Sequence, residues 1–180
     1  MERSSALAVR FWSVIVVVLV TDFITKAIAV ATLVPHYSVR RVAGEFVQFR
    51  LVYNPGAAFG LYLGSYSRWI FMALTLAALI VLWRLYRSTR AHERAKLLAV
   101  ALVTAGALGN LVDRIRSERG VVDFIDVGIG SMRWPTFNVA DMAVSVGAFM
   151  LAWVLWGEDQ SVAGSVATAG SALPAERDAR

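Results

Sequence analysis

Four predominantly apolar runs, at about Phe11–Val34, Arg68–Leu85, Ala95–Val112 and Phe137–Trp156, constrain this chain more than any other feature. Each approaches the roughly 20 residues that a helix needs to cross a bilayer core. With 58% hydrophobic residues and a mean hydropathy of +0.60 over 180 residues, the chain is too apolar for an ordinary soluble domain. The fold expected is a membrane all-α bundle of four transmembrane helices. The first run follows Arg3 and Arg10 but is longer than the roughly 7–15 apolar residues of a cleaved signal peptide, so it is read as a retained span.

The connecting segments set an expected orientation. Arg84, Arg87, Arg90, Arg94 and Lys96 crowd the short connection between the second and third runs, which the positive-inside rule assigns to the cytoplasm. Both termini then fall on that side, and the loops at about Pro35–Ser67 and Asp113–Thr136 face the opposite compartment. The net charge of +5 is therefore read as topology. Its cations are scattered between apolar runs with no basic, aromatic-interleaved stripe, so nucleic acid is not an expected partner.

Two stretches of the outer loops read as strands. One is Glu45–Tyr53, running into the turn Asn54-Pro55-Gly56; the other is Val121–Val127. Pairing them would rest a small β element on the membrane surface, in the extracytoplasmic loops. Residues 1–157 are expected to form one membrane domain, and 158–180, rich in Ala, Ser, Gly and Thr, a disordered cytoplasmic tail.

Ionisable residues inside or beside the spans cost at least roughly 2.5–3.5 kcal/mol each near the bilayer centre, and they persist where they face protein or a wet cavity. Asp22 and Lys26 share one helix face at i and i+4, and either scaffolding or direct function fits them. Lys26 alone is also compatible with snorkelling to the surface. Gly106-Ala107-Leu108-Gly109-Asn110-Leu111-Val112-Asp113-Arg114 closes the third run with small residues for tight helix packing, followed by polar groups; Asn110 and Asp113 share a face and Arg114 is able to fork onto a carboxylate. Asn54 and Gly56 belong to a turn of small residues that permits close backbone approach.

Asp123, set in Val121-Val122-Asp123-Phe124-Ile125, and Asp141, in the first turns of the last span after Asn138, are expected at the outer membrane surface. Two carboxylates brought together in a poorly solvated place share one proton, a state suited to activating water and protonating a leaving amine. Taken singly, Asp141 reads equally as a helix N-terminal acid and Asp123 as a solvated loop acid like Asp126. Cysteine is absent, and the two histidines, His36 and His92, fall on opposite expected sides of the membrane, so neither a thiol nucleophile nor a His-based zinc site is easily assembled. With no phosphate or dinucleotide loop either, aspartyl chemistry without a metal or other cofactor is expected. The alternative is a proton relay or small transport protein.

Together, Asp22–Lys26, Asn54–Gly60, Gly106–Arg114, Val121–Phe124 and Phe137–Asp141 resemble the bacterial lipoprotein signal peptidases, or signal peptidase II. The resemblance implies a multi-pass aspartyl endopeptidase of the bacterial cytoplasmic (inner) membrane, with its active site at the outer face. It would remove the signal peptide of a diacylglyceryl-modified prolipoprotein just before the lipidated Cys. It further implies Asp123 and Asp141 as the catalytic pair. Asn54, Gly56, Asn110, Arg114 and Asn138 would line or support the substrate site, with Asp22, Lys26 and Asp113 as polar scaffold. Membrane lipids and globomycin-type cyclic peptide inhibitors are the other implied partners. Ala105 and Met142 depart from the commoner family residues and bear on local packing only.

Overall fold

The structure is a computed structural model that describes residues 2–33, 38–56 and 63–171, with side chains over 5–33, 38–56 and 63–157. Four helices are long and apolar enough to cross a membrane, at Ser5–Thr32, Gly64–Ser88, Arg94–Arg116 and Val139–Gly157, matching the four apolar runs. They belong to α1 (Glu2–Thr32), α2 (Ser67–Ser88, entered through a 3-10 turn at Gly64–Tyr66), α3 (Arg94–Arg116) and α4 (Val139–Ser171). The helices overrun the apolar cores, because charged side chains such as Arg94 and Arg116 reach headgroups and water without breaking the helix. Helix α4 continues through residues 158–171, which the sequence reads as disordered tail, and residues 172–180 lie outside the described residues.

Helix α3 is the hub, packed against α1, α2 and α4, and half of its apolar window is buried in the protein. Its small residues allow this. A Cβ on Gly106 would lie 2.2 Å from the Ala140 carbonyl oxygen, so the backbones of α3 and α4 approach only because glycine stands there. Two apolar clusters bracket the bundle. One gathers Phe11, Ile15, Leu82, Leu97, Val100, Ala101 and Ala105; the other gathers Ala29, Leu33, Leu51 and Phe124 beneath the sheet. Along α1, Asp22 and Lys26 fall between Ile15 of the first cluster and Ala29 of the second, so the polar layer is enclosed by apolar packing.

Four antiparallel strands, β1 (Arg40–Ala43), β2 (Val47–Asn54), β3 (Val121–Ile129) and β4 (Met132–Arg133), form the sheet in the order β1-β2-β3-β4. The two loops expected to pair therefore do so, through β2 and β3. A register shift between Phe49 and Val52 resets the ladder so that Val52 faces Asp123 and Asn54 faces Val121. After β4 the chain runs back along β3. Phe124 and Ile125 both donate their N–H groups to the Phe137 carbonyl (3.0 and 2.8 Å), and Phe137 returns one to Ile125 (3.0 Å). That closure delivers Asn138 and the start of α4 beside Asp123.

Candidate active site

The start of α4 builds the site. Asn138 is its N-cap: its Oδ1 accepts the N–H of Asp141 (2.9 Å), while Asp141 Oδ2 accepts the N–H of Asn138 (3.1 Å), a reciprocal capping box. The helix-end reading of Asp141 is thus correct, yet its other oxygen, Oδ1, accepts a hydrogen bond from Asn110 Nδ2 (2.7 Å). The side-chain amide of the capping Asn138 reaches across to Asp123 Oδ1 (2.7 Å). Asn54 Nδ2 holds the second Asp123 oxygen (3.1 Å). One asparagine therefore ties the two acids into a single unit.

The orientations of the three amides follow from fixed donors around them. Asn54 Oδ1 accepts the N–H of Gly56 (3.0 Å), Asn138 Oδ1 accepts that of Asp141, and Asn110 Oδ1 accepts from Lys26 Nζ (3.2 Å). Each is left with its NH2 toward a carboxylate. Asp123, in β3 and outside the spans, is only 2% exposed. Burial raises its carboxyl to about 7, the charge of Asp141 adds to the rise, and the amides of Asn54 and Asn138 oppose it.

Beneath the acids sits a buried charge cluster. Lys26 Nζ lies 2.7 Å from Asp22 and 2.8 Å from Asp113. At 5% exposure it does not snorkel. Asp22 Oδ1 also accepts the N–H of Ala140 (2.9 Å), so α1 caps α4 from another element; Asp113 accepts the N–H of Val122 (3.2 Å) at the start of β3. Asp22, Lys26 and Asp113 thus tie α1 and α3 to the starts of α4 and β3.

Arg114 differs from expectation. Its guanidinium takes two backbone carbonyls, Gly56 (2.9 Å) and Asn110 (3.2 Å), and its buried Nε has no hydrogen-bond partner. It forks onto the peptide backbone because the nearest carboxylates are already held by asparagines, and so it anchors the turn carrying Asn54. Ala57–Gly60 of that motif lie outside the described residues.

Asp126 corrects the reading of a solvated loop acid. It is 1% exposed and lies 3.0 Å from Arg50 Nε and 2.6 Å from Arg133 Nε. The chain after β4 then returns along β3. Arg50 also donates to Thr136 Oγ1 (3.2 Å), which fixes that segment as one wall of the cavity. Gly120 is a second residue that sequence reasoning missed. Its φ of +98° suits glycine, and a Cβ there would meet the Asn54 carbonyl oxygen at 2.1 Å; only its place just before β3 hinted at this.

A cavity of about 890 Å³ opens over the acids, within the range of ligand-binding sites. Asp123, Asp141, Asn54, Asn110 and Arg114 form its polar floor. Val52, Phe137, Val144, Val146, Pro135 and Trp134 supply apolar walls, and Met142 lines it from α4. Among the described residues no three His, Asp or Glu side chains are grouped to hold a metal ion.

Four spans, a sheet built from two loops on one side of them and two coupled acids in a ligand-sized cavity define a membrane-embedded enzyme. Residues 14–157 match the family Signal peptidase (SPase) II. The lipoprotein signal peptidase of Burkholderia mallei (strain SAVP1) is 36% identical over 154 residues, covering 84% of this chain and 90% of the relative. That of Desulforapulum autotrophicum is 40% identical over 143 residues, 77% and 86% of the two chains. Two solved bacterial membrane enzymes superpose with TM-scores of 0.73 and 0.70, at 27% and 31% identity. The first match covers 95% of this chain and 94% of the other, and the second 81% and 92%. The chain belongs to the signal peptidase II family, multi-pass membrane peptidases that cleave signal peptides from prolipoproteins. The relay or transport alternative finds no support among these relatives.

Proposed function

We propose that this protein is an aspartyl endopeptidase, with Asp123 and Asp141 as its catalytic pair, and that it cuts a diacylglyceryl-modified prolipoprotein just before the lipidated Cys. The observation that carries the reading is the shared asparagine: Asn138 binds both acids, at the floor of a cavity with apolar walls. Between them the pair carries one proton. The ionised carboxylate takes a proton from a water molecule whose oxygen attacks the scissile carbonyl carbon, while the protonated carboxyl gives its proton to the carbonyl oxygen. Collapse of the resulting tetrahedral diol breaks the C–N bond: the leaving amine takes the proton gained from water, and one diol hydroxyl returns its proton to the other carboxylate as the new C=O forms, which restores the single proton of the pair. A diacylated substrate keeps its lipid in the bilayer and enters sideways, so an acid pair at the end of the spans meets the bond without extracting the chains.

In this reading Asn54, Asn110 and Arg114 position the acids and the turn over them, and the active site faces outward with both termini in the cytoplasm. Reporter fusions at Arg90 and Gly44 then give opposite signals. A globomycin-type cyclic peptide would seat a hydroxyl between the acids and stabilise the native protein far more than an Asp123 variant. The deciding experiment is mass analysis of a diacylated prolipoprotein incubated with variants inserted at equal levels. Asp123→Asn and Asp141→Asn should each lower turnover by roughly 10²–10⁴-fold, and the double variant should be scarcely worse, since paired residues are non-additive. Substantial turnover by either single variant would refute the aspartyl mechanism.

A further inference from the structure

At the end of the bundle remote from the sheet, a second groove of about 480 Å³ lies between the first turns of α1 and α3. Its rim and its depth differ chemically. Arg10 and Arg94 stand at the rim, both exposed, and neither has an ion-pair partner among the described residues. The nearby carboxylate of Glu93 is occupied by Lys96 at 3.3 Å and by the Arg90 backbone N–H, which lowers its pKa. Ser13 lies in the groove one turn beyond Arg10, and the described residues give its hydroxyl no hydrogen-bond partner. Further in, the walls are Val14, Leu97 and Ala101.

We infer that this groove binds an anionic glycerophospholipid. The phosphate sits between Arg10 and Arg94, an ester carbonyl accepts from Ser13, and one acyl chain runs along Val14, Leu97 and Ala101. The order of groups from rim to depth, cationic, then hydroxyl, then apolar, is the order of groups along such a lipid. Basic pockets between membrane helices recognise anionic headgroups. Two unpaired guanidiniums favour a headgroup with net negative charge, because an ammonium-bearing headgroup would bring a third cation to the rim. A soluble phosphate would leave the apolar depth unfilled.

The test titrates purified full-length protein in zwitterionic detergent with short-chain phosphatidylglycerol, reading binding by native mass spectrometry and thermal shift. Phosphatidylcholine of equal chain length should bind much more weakly and glycerol phosphate should give no shift. Arg10→Gln with Arg94→Gln should weaken phosphatidylglycerol by about 30-fold, from the loss of two surface cations. Arg84→Gln with Arg87→Gln removes the same charge outside the groove and should change affinity less than about twofold. Leu98→Trp, which fills the groove from its exposed side while keeping both arginines, should also weaken binding. All variants should still cleave prolipoprotein, which verifies folding. Equal binding of the two lipids, equal weakening by the two arginine pairs, unchanged affinity in Leu98→Trp, or an equal shift from glycerol phosphate would each overturn the assignment.

Discussion

Replacing Asp123 by Asn should change the stability of this protein in opposite directions on the two sides of a pH window. Burial first, and then the charge of Asp141, raises the Asp123 carboxyl from 3.8 to about 7. Above about pH 4 the unfolded chain has released that proton and the folded chain still holds it. Stability is therefore highest below about pH 4 and falls as pH rises to about 7, by about 1.4 kcal/mol per unit and roughly 4 kcal/mol in all. In Asp123→Asn this titration is gone. The amide NH2, however, must then face the Nδ2 of either Asn54 or Asn138, both of which are held as donors, at a cost of about 1–3 kcal/mol. The variant should be the less stable protein near pH 4, and above pH 7 the more stable by about 1–3 kcal/mol, while its turnover falls as given above. Thermal or denaturant unfolding of both proteins in one detergent, from about pH 4 to about pH 8, reads the difference. A stability gap that stays constant across that range would show that Asp123 is not held in a charge-disfavouring site.

Three further outcomes follow from contacts around the site. Asp126→Asn, at a position that reads from sequence as a silent loop acid, should destabilise by about 2–4 kcal/mol, because it strips a buried carboxylate from Arg50 and Arg133, both partly screened by solvent; an unfolding midpoint equal to wild type would refute this. Lys26→Met should cost about 3–5 kcal/mol by leaving Asp22 and Asp113 buried without their cation, and the variant should be recovered in much lower yield from membranes. Gly109→Ala puts a Cβ 2.8 Å from Asp22 Oδ2 and 3.2 Å from the Ala140 Cβ. It should lower stability by about 1–3 kcal/mol and slow prolipoprotein cleavage, whereas cleavage at the wild-type rate would mean that the α3–α4 spacing does not set the site.

The spans were legible because a bilayer imposes a length on every helix that crosses it, and four apolar runs met that length. The paired acids were legible for a related reason: Asp123 lies among Val and Phe, and Asp141 opens an apolar helix, so neither has cheap solvation nearby. The helix ends were less so, since Asp113, Arg114 and Arg116 look like loop residues but complete the last turns of α3. Asp126 was misread because its cations arrive from neighbouring strands. Arg50 comes from β2 and Arg133 from β4, and no local pattern in Val121–Val127 announces either. The carboxylate fork expected of Arg114 was misread from its charge: a guanidinium beside acids invites an ion pair, and only the packed structure brings the Gly56 and Asn110 carbonyls to it.

The hydrogen bonds that begin α4 carry a consequence for biogenesis. Asp141 and Asn138 are oriented by the first turn of that helix, and Asp22 of α1 holds the same turn in place. A chain with three helices inserted and the fourth undocked therefore has no paired acids at all. On the aspartyl mechanism proposed above, assembly and competence arrive in one step, so an immature copy stays harmless to the many other peptide segments crossing the same membrane. Quality control of this hydrolase is written into the cap of its last helix.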